Sequence, residues 1–439
     1  MAAPGSASPV VDAIPERLEQ RESHLAVRER MGRRARRAPG RRSGAVPASL
    51  TQALATASVP SPAELRWLAE QVLSAPVVSC YLRFGPARAG HPRAHLARLR
   101  SLVDTARERH ARELAALPPW QRARTLADLE HLIQAVDELE PAGARALVAF
   151  RSGEALNVAY LIPVKPPGPD RVVIGPDAYL MPLAALLEEH PPILVVQVAK
   201  RDARVLVATF GRLDEVEHLT SFATGDRVDV ARPGKIQRHR LTHLQWHLRD
   251  TAHAASVAYR EHGCAGLVLV GDEPITAAFT EFLPTSLARA VIGRLPQPVS
   301  HAALAERVRT HVSERQRATE TRWADELASL AAANRLVTGL AAVIDAVDQF
   351  IAARLALPAQ AGPPGFLCPT AHHYLALQPG TCTYCDSPLI TAEDAVDELV
   401  EMCLRYGIER NLFIESPELL EPYRGAAAVL YPAVATSRG

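Results

Sequence analysis

Three of the chain's six cysteines crowd into one short stretch: Cys368-Pro-Thr-Ala-His372-His373, then eight residues, then Cys382-Thr-Tyr-Cys385. A Cys-x-x-Cys pair turns tightly enough to aim two thiolates at one tetrahedral ion. A second short donor pair, brought near by a loop of this length, completes the coordination. Here that pair is Cys368 with His372, or with His373 as the alternative. With all four positions filled by protein, the expected ion is a structural zinc, which supplies folding energy to a lobe with few large apolar residues. The plain alternative is a loop that binds no metal.

A second stretch, Arg232-Pro-Gly-Lys-Ile-Gln-Arg-His-Arg240, is rich in cations and comes directly before a predicted helix over 240–262. Arg232, Lys235, Arg238 and Arg240 could neutralise phosphates if this loop enters an RNA cavity. Without further context it reads as a solvent loop. A third basic block, Arg33, Arg34, Arg36, Arg37, Arg41 and Arg42, lies in an Ala/Pro/Ser-rich start. Such a run repels itself and stays unfolded until it meets an anion, so it is either a nucleic-acid arm or a solvated tail.

Other chemistries find little support. His243 and His247 have the helical spacing of a zinc pair, but Leu244-Gln245-Trp246 between them offers no glutamate as general base, so a polar helix face is the simpler reading. There is no Gly-x-Ser-x-Gly and no Gly-x4-Gly-Lys-Ser/Thr. Cys80, Cys264 and Cys403 sit among apolar residues, as core cysteines do.

The elements that must position these residues follow from pattern. The 439 residues call for roughly three domains. Lys+Arg 49 against Asp+Glu 48 excludes a uniformly basic coat but not a local patch. No run is apolar and long enough for a membrane span, no secretory h-region follows the first charges, and the sparse cysteines make a poor disulfide framework. The expected compartment is the cytoplasm. Residues 1–60 form a basic, flexible tail. Residues 61–188 form an α+β domain, with a strand over 77–84, helices over 94–117 and 120–139, and a hairpin over 146–162. Residues 189–299 form a mixed-sheet middle domain: a hairpin over 193–210, the loop 232–240, its helix, and a strand over 266–270. Residues 300–439 form a helical connection, nearly continuous to 355 with a break near Asn334, and an α/β domain carrying the cysteine lobe 366–388.

Val77-Val-Ser-Cys-Tyr-Leu82, the hairpin over 193–211, Gly266-Leu-Val-Leu-Val-Gly-Asp272, Phe282-Leu-Pro284, the cysteine lobe and Tyr423-Arg-Gly-Ala-Ala-Ala-Val-Leu-Tyr431 occur in one order. That order resembles the archaeal and eukaryotic class-one release factor and Pelota family, in its bacterial branch. The resemblance implies a ribonuclease-H-like middle domain and a ribosomal partner. It also implies that the loop before the middle helix reaches peptidyl-tRNA with a Gly-Gly-Gln or Gly-Gly-x-x-Gln motif. Pro233 falls at the first Gly, Gly234 at the second and Gln237 at the Gln; the family's second lobe cysteine falls at Ala371. Proline fixes φ and removes an N–H, so a loop needing positive φ there is impaired. The Asn-Ile-Lys-Ser of stop-codon readers is missing. Three readings stay open. One is a non-decoding rescue or hibernation factor in the ribosomal A site, with ribosomal RNA and a translational GTPase as partners. Another is a peptidyl-tRNA ester hydrolase in which Gln237 places the water. A third is a scaffold that only mediates interactions.

Overall fold

A computed structural model describes residues 60–85, 94–140, 143–221, 233–297, 300–370 and 374–432. The side chains of 233–241 are outside that description, as are Arg33, Arg34, Arg36, Arg37, Arg232, His372 and His373. The described chain forms the expected α/β and α+β layers, with four separate sheets. It divides into two compact units, one of residues 1–186 with 320–439 and one of residues 187–319.

The first unit opens with α1 (Pro62–Ala69), begun by a full capping box: Ser61 accepts the Glu64 amide while Glu64 accepts the Ser61 amide. Strands β1 (Val77–Arg83), β2 (Ala146–Ser152), β3 (Leu156–Ile162) and β4 (Arg171–Gly175) form an antiparallel sheet in the order β3-β2-β1-β4. One face carries α2 (Ala94–Arg109), α3 (Ala111–Ala116) and α4 (Pro119–Asp137). The alternate residues Val78, Cys80 and Leu82 of β1 pack there with Leu99, Val103 and Leu129, as the two-residue period of a strand requires. β4 and the next helix, α5 (Met181–Glu189), were not legible in the pattern.

The second unit holds β5 (Ile193–Val198), β6 (Asp202–Thr209), β7 (Arg212–Thr220), α6 (Pro233–Glu261), β8 (Gly266–Val270), α7 (Glu273–Thr280), α8 (Thr285–Arg289) and β9 (Val291–Leu295). Its sheet runs β7-β6-β5-β8-β9, with β8 parallel to both β5 and β9 and the hairpins antiparallel. Leu194, Val196, Leu267 and Leu269 face Leu248, Ala252 and Ala255 of α6; Ile193, Val195, Val268 and Val270 face the other way. The core is closed on that second side by Leu304 and Val308 of α9 (His301–Ala332). Strand β8 must end at a glycine: Gly271 has φ +149°, and a Cβ there would stand 2.4 Å from the Val198 carbonyl oxygen.

The expected break near Asn334 is where the long helix ends, but the helix expected beyond it to 355 is corrected. After α9 come β10 (Leu336–Thr338), α10 (Leu340–Asp348) and β11 (Ala352–Pro358). The helix ends where Asn334 takes φ +53°, and the run Ala-Ala-Arg-Leu-Ala-Leu finds strand partners instead. Tertiary pairing overrides the helix propensity of alanine and leucine. Then follow β12 (Gly365–Leu367), β13 (Leu375–Ala376), β14 (Ile390–Ala392), α11 (Ala395–Tyr406), β15 (Glu409–Phe413), a 3-10 helix (Pro417–Tyr423) and β16 (Ala427–Leu430). The larger sheet runs β10-β16-β11-β15, the smaller β13-β12-β14.

One buried carboxylate organises the C-terminal sheet's edge. Glu320, 2% exposed on α9, accepts the amides of Ile414 at 3.1 Å, Glu415 at 3.3 Å and Ser416 at 2.8 Å. Glu320→Ala leaves three backbone donors without that acceptor and should lower stability by about 2–4 kcal/mol. Glu320→Gln, which keeps one acceptor oxygen, should lose less. The midpoint of urea unfolding, followed by tryptophan fluorescence, measures both.

Candidate functional site

Two places are candidates, and the first is the start of α6. Here the structure corrects the sequence: 233–240 is not a loop before the helix but its first two turns. The local cause is plain. Proline at the first helical position loses no hydrogen bond and already has helical φ, and Lys235, Gln237 and Arg238 are good helix formers. In an α-helix beginning at Pro233, the Gln237 amide has the Pro233 carbonyl four residues back to donate to. Its N–H is therefore committed to the helix.

The 29 residues of α6 span about 43 Å, whereas its five- and six-residue neighbours β8 and β5 span about 17–20 Å. Among the described side chains of α6, the buried positions run from His247 and Leu248 to Ala258, and the segment with the cations comes before them in the helix. From residue 230 to residue 249 the chain has five arginines and lysines, Arg232, Lys235, Arg238, Arg240 and Arg249, and no carboxylate.

Trp246 is the residue that the sequence reading passed over. It is 54% exposed, and the His243 ring meets it edge to face with centroids 5.4 Å apart. The signal was available: Trp246 falls midway between the partly buried Leu244 and the buried Leu248, hence on the helix's outer face. His247, by contrast with His243, is buried, so the two histidines do not present one ligating face.

The second candidate is the cysteine lobe. One sulfur from each of Cys368, Cys382 and Cys385 lies within 4.8 Å of the others, and the Sγ atoms of Cys368 and Cys385 are 3.5 Å apart. Tetrahedral zinc with bonds of about 2.3 Å sets sulfur atoms about 3.8 Å apart, so the three thiols fit one ion. The turn is made by local bonds. The Asp386 amide donates to the Cys382 carbonyl, the Cys382 amide to the Ser387 carbonyl, and the Tyr384 amide to the Cys382 sulfur at 3.4 Å. Asp386 takes φ +58° to close it.

The thiols are unlike electrically. Hydrogen bonds from Ser387 and Thr370 hold the Cys385 thiol down to about 5, while burial pushes Cys382 up to about 11. A proton lost from Cys382 therefore needs a cation nearby, which is what a metal ion provides. The Thr370 hydroxyl stands 3.1 Å from Cys368 Sγ and 3.2 Å from Cys385 Sγ. The lobe is tied to its domain by Tyr384, whose hydroxyl donates to Asp348 at 2.8 Å. The three cysteines of the sequence reading are thus brought together, and they could hold a metal ion. Cys80, Cys264 and Cys403 are buried.

Comparison with known proteins adds the remaining facts. Residues 179–317 match bacterial archaeo-eukaryotic release factor family 10. No curated protein matches. Among solved structures, the chain is 17% identical to the archaeal translation termination factor aRF1, over 84% of this chain and 98% of that one, with a TM-score of 0.24. It is 10% identical to Dom34 of S. cerevisiae, a translation termination-like factor, over 65% and 79% with a TM-score of 0.37. It is 12% identical to an archaeal Pelota, over 84% and 94% with a TM-score of 0.36. Scores this low carry no structural argument. The segment that matches bacterial archaeo-eukaryotic release factor family 10 contains the five-stranded sheet and the whole of α6.

Proposed function

We propose that the chain is a ribosome-associated, release-factor-like protein that docks in the A site as a non-stop-decoding rescue or hibernation factor. The projecting start of α6 is its probe. The observation that carries this reading is the helical state of 233–237. A water-positioning loop needs free backbone amides at its glycines and glutamine; Pro233 has none, and α-helical geometry engages that of Gln237. What is left is a cationic helix end with an exposed indole. Cations neutralise phosphates, and an aromatic face stacks on bases with about 1–3 kcal/mol per base. The partners implied are ribosomal RNA, a peptidyl-tRNA beside it, and a translational GTPase that delivers the factor, in the cytoplasm. Among the described residues, no helix is long and apolar enough to cross a membrane.

Release assays separate this reading from the hydrolase. Stalled ribosomes carrying a labelled nascent chain should release little of it when the wild-type protein is added, and Gln237→Ala should change nothing but affinity. Fast release by wild type that Gln237→Ala abolishes would make the protein a peptidyl-tRNA hydrolase with Gln237 active only in the transition state. Pro233→Gly then asks whether proline is the block, since glycine restores both the N–H and the φ freedom.

Binding should be steeply salt-dependent. Six to ten phosphate contacts lose roughly 10³–10⁵ in affinity between about 50 and 200 mM salt. Removal of residues 1–60, with Arg33, Arg34, Arg36 and Arg37, should flatten the log–log slope by about 0.7–0.9 for each arginine that engages RNA. Co-sedimentation with ribosomes across a salt series reads both slopes. An unchanged slope makes the tail a bystander, and no sedimentation of either form removes the ribosomal reading.

The lobe's proposed ion is zinc, held by Cys368, Cys382 and Cys385 with His372 as fourth ligand and His373 as the alternative. Purified protein should contain about one zinc per chain. Cys385→Ser should lose it and raise proteolysis within 366–388 while the three larger sheets stay folded. Mass spectrometry of the metal content and a cleavage map decide this, and a folded, metal-free wild type overturns it.

A further inference from the structure

In the first unit, the N-terminal and C-terminal stretches meet through carboxyl groups. Asp394 caps α11: its Oδ1 accepts the amides of Val396 at 2.8 Å and Gly362 at 2.9 Å, and its Oδ2 accepts the Tyr179 hydroxyl at 2.9 Å. Asp397 accepts the amides of Leu180, at 2.8 Å, and Met181, and so caps α5 from across the contact. These two carboxylates are matched to donors.

Three others are not matched in the same way. Asp177, from the turn between β4 and α5, and Glu398 and Glu401, from α11, each bring a carboxyl oxygen within 4.8 Å of the other two. Glu398 is 7% and Glu401 2% exposed. The cation facing them is Arg405, which lies 3.7 Å from Asp177, stands against Glu401 and donates to the Ala69 carbonyl of α1. Neither Glu401 oxygen receives a well-formed hydrogen bond from a protein donor. Fully ionised, three carboxylates against one guanidinium leave two negative charges in excess in a largely buried contact, where Asp177 keeps 21% of its side chain exposed, and carboxyl groups this close do not all ionise.

The remaining charges around them do not offset that excess. On the near side, Arg171 donates to the Tyr179 hydroxyl at 2.6 Å, so its charge is directed to the Asp394 end. At the edge, Arg109 of α2 pairs with Glu393 at 2.5 Å, and His110, the residue after it, lies 3.7 Å from the same carboxylate. Helix α1, packed on α11, has Arg66 and Glu70 exposed and Glu64 bound to Ser61. Strand β15 brings Glu409, paired with Arg354, and Arg410.

We propose that Asp177, Glu398 and Glu401 form a proton-operated latch, in which protons held among the three carboxyls keep the N-terminal and C-terminal stretches of this unit together and their loss lets the stretches part. Burial, followed by neighbouring carboxylates, raises Glu398 and Glu401 well above the ordinary carboxylate range; burial raises Asp177 against the opposing pull of Arg405. A raised acid binds more protons in the closed state than in the open one. Closure is therefore fully favoured at and below the ordinary carboxylate range and weakens as pH rises above it, about tenfold in the opening constant per pH unit for each proton released.

Hydrogen exchange of the full chain, measured by mass spectrometry between about pH 5.5 and about 8.5 and corrected for the intrinsic rate, tests the latch. Segments 177–186 and 395–406 should lose protection with rising pH, while 193–198 of the other unit should not. Glu401→Gln, an isosteric stand-in for the protonated acid, should hold protection at the upper pH and lower the slope by about one proton. Glu398→Gln should do the same, and covers the case in which the first variant fails to fold. A flat wild-type profile overturns the latch. So does a parallel loss at 193–198, or an unchanged slope in both variants.

Discussion

The parallel pairing of β5 with β8 constrains the second unit more than any other contact. Two parallel neighbours cannot be joined by a hairpin, so the chain has to return along the sheet before β8 starts. It does so as α6, after the antiparallel excursion through β6 and β7. Once that helix must cover Leu194, Val196, Leu267 and Leu269, its buried stripe and its outer face are both fixed. Every candidate residue at 233–249 inherits its direction from this one pairing. The close approach of Gly271 to the Val198 carbonyl locks the same two strands at their far ends.

How far the sequence could be read depended on whether local pattern or distant contact decided each element. The strands over 77–83, 193–198 and 266–270 and the long helices announce themselves, because apolar period and burial coincide. Strand β7 was missed, since Asp214, Glu215, Val216 and Glu217 of a sheet edge are exposed and show no alternation. Strand β11 was mistaken for helix because alanine, arginine and leucine favour a helix until β15 and β16 flank them. The helix start at Pro233 was placed seven residues late for a different reason: a glycine and several cations look like loop chemistry, and the preference of proline for the first turn was outweighed in the reading.

The candidate sites divide along the same line. Cys368, Cys382 and Cys385 were legible because their geometry is almost wholly local: a tight turn, a short loop and a three-stranded sheet of eight residues bring the sulfurs together. The acidic contact was not. Asp177 and Glu401 lie more than two hundred residues apart, and nothing in α11's sequence distinguishes a solvated acidic face from a buried one. Burying Asp397, Glu398 and Glu401 requires the segment 177–181 to supply both backbone donors and a further carboxyl, which no window of sequence reveals.

The overhang of α6 has a mechanical consequence. A helix that starts eleven residues before Leu244, its first described contact with the core, reaches about 16 Å past that contact and forms a lever arm of that length. Turning such a lever by five degrees at the sheet moves its tip by roughly 1.4 Å, close to the length of a covalent bond. A small repacking of Leu244, Leu248 and Ala252 against β5 and β8 is thereby amplified at Pro233. The core of the sheet and the aim of the tip are a single mechanical element.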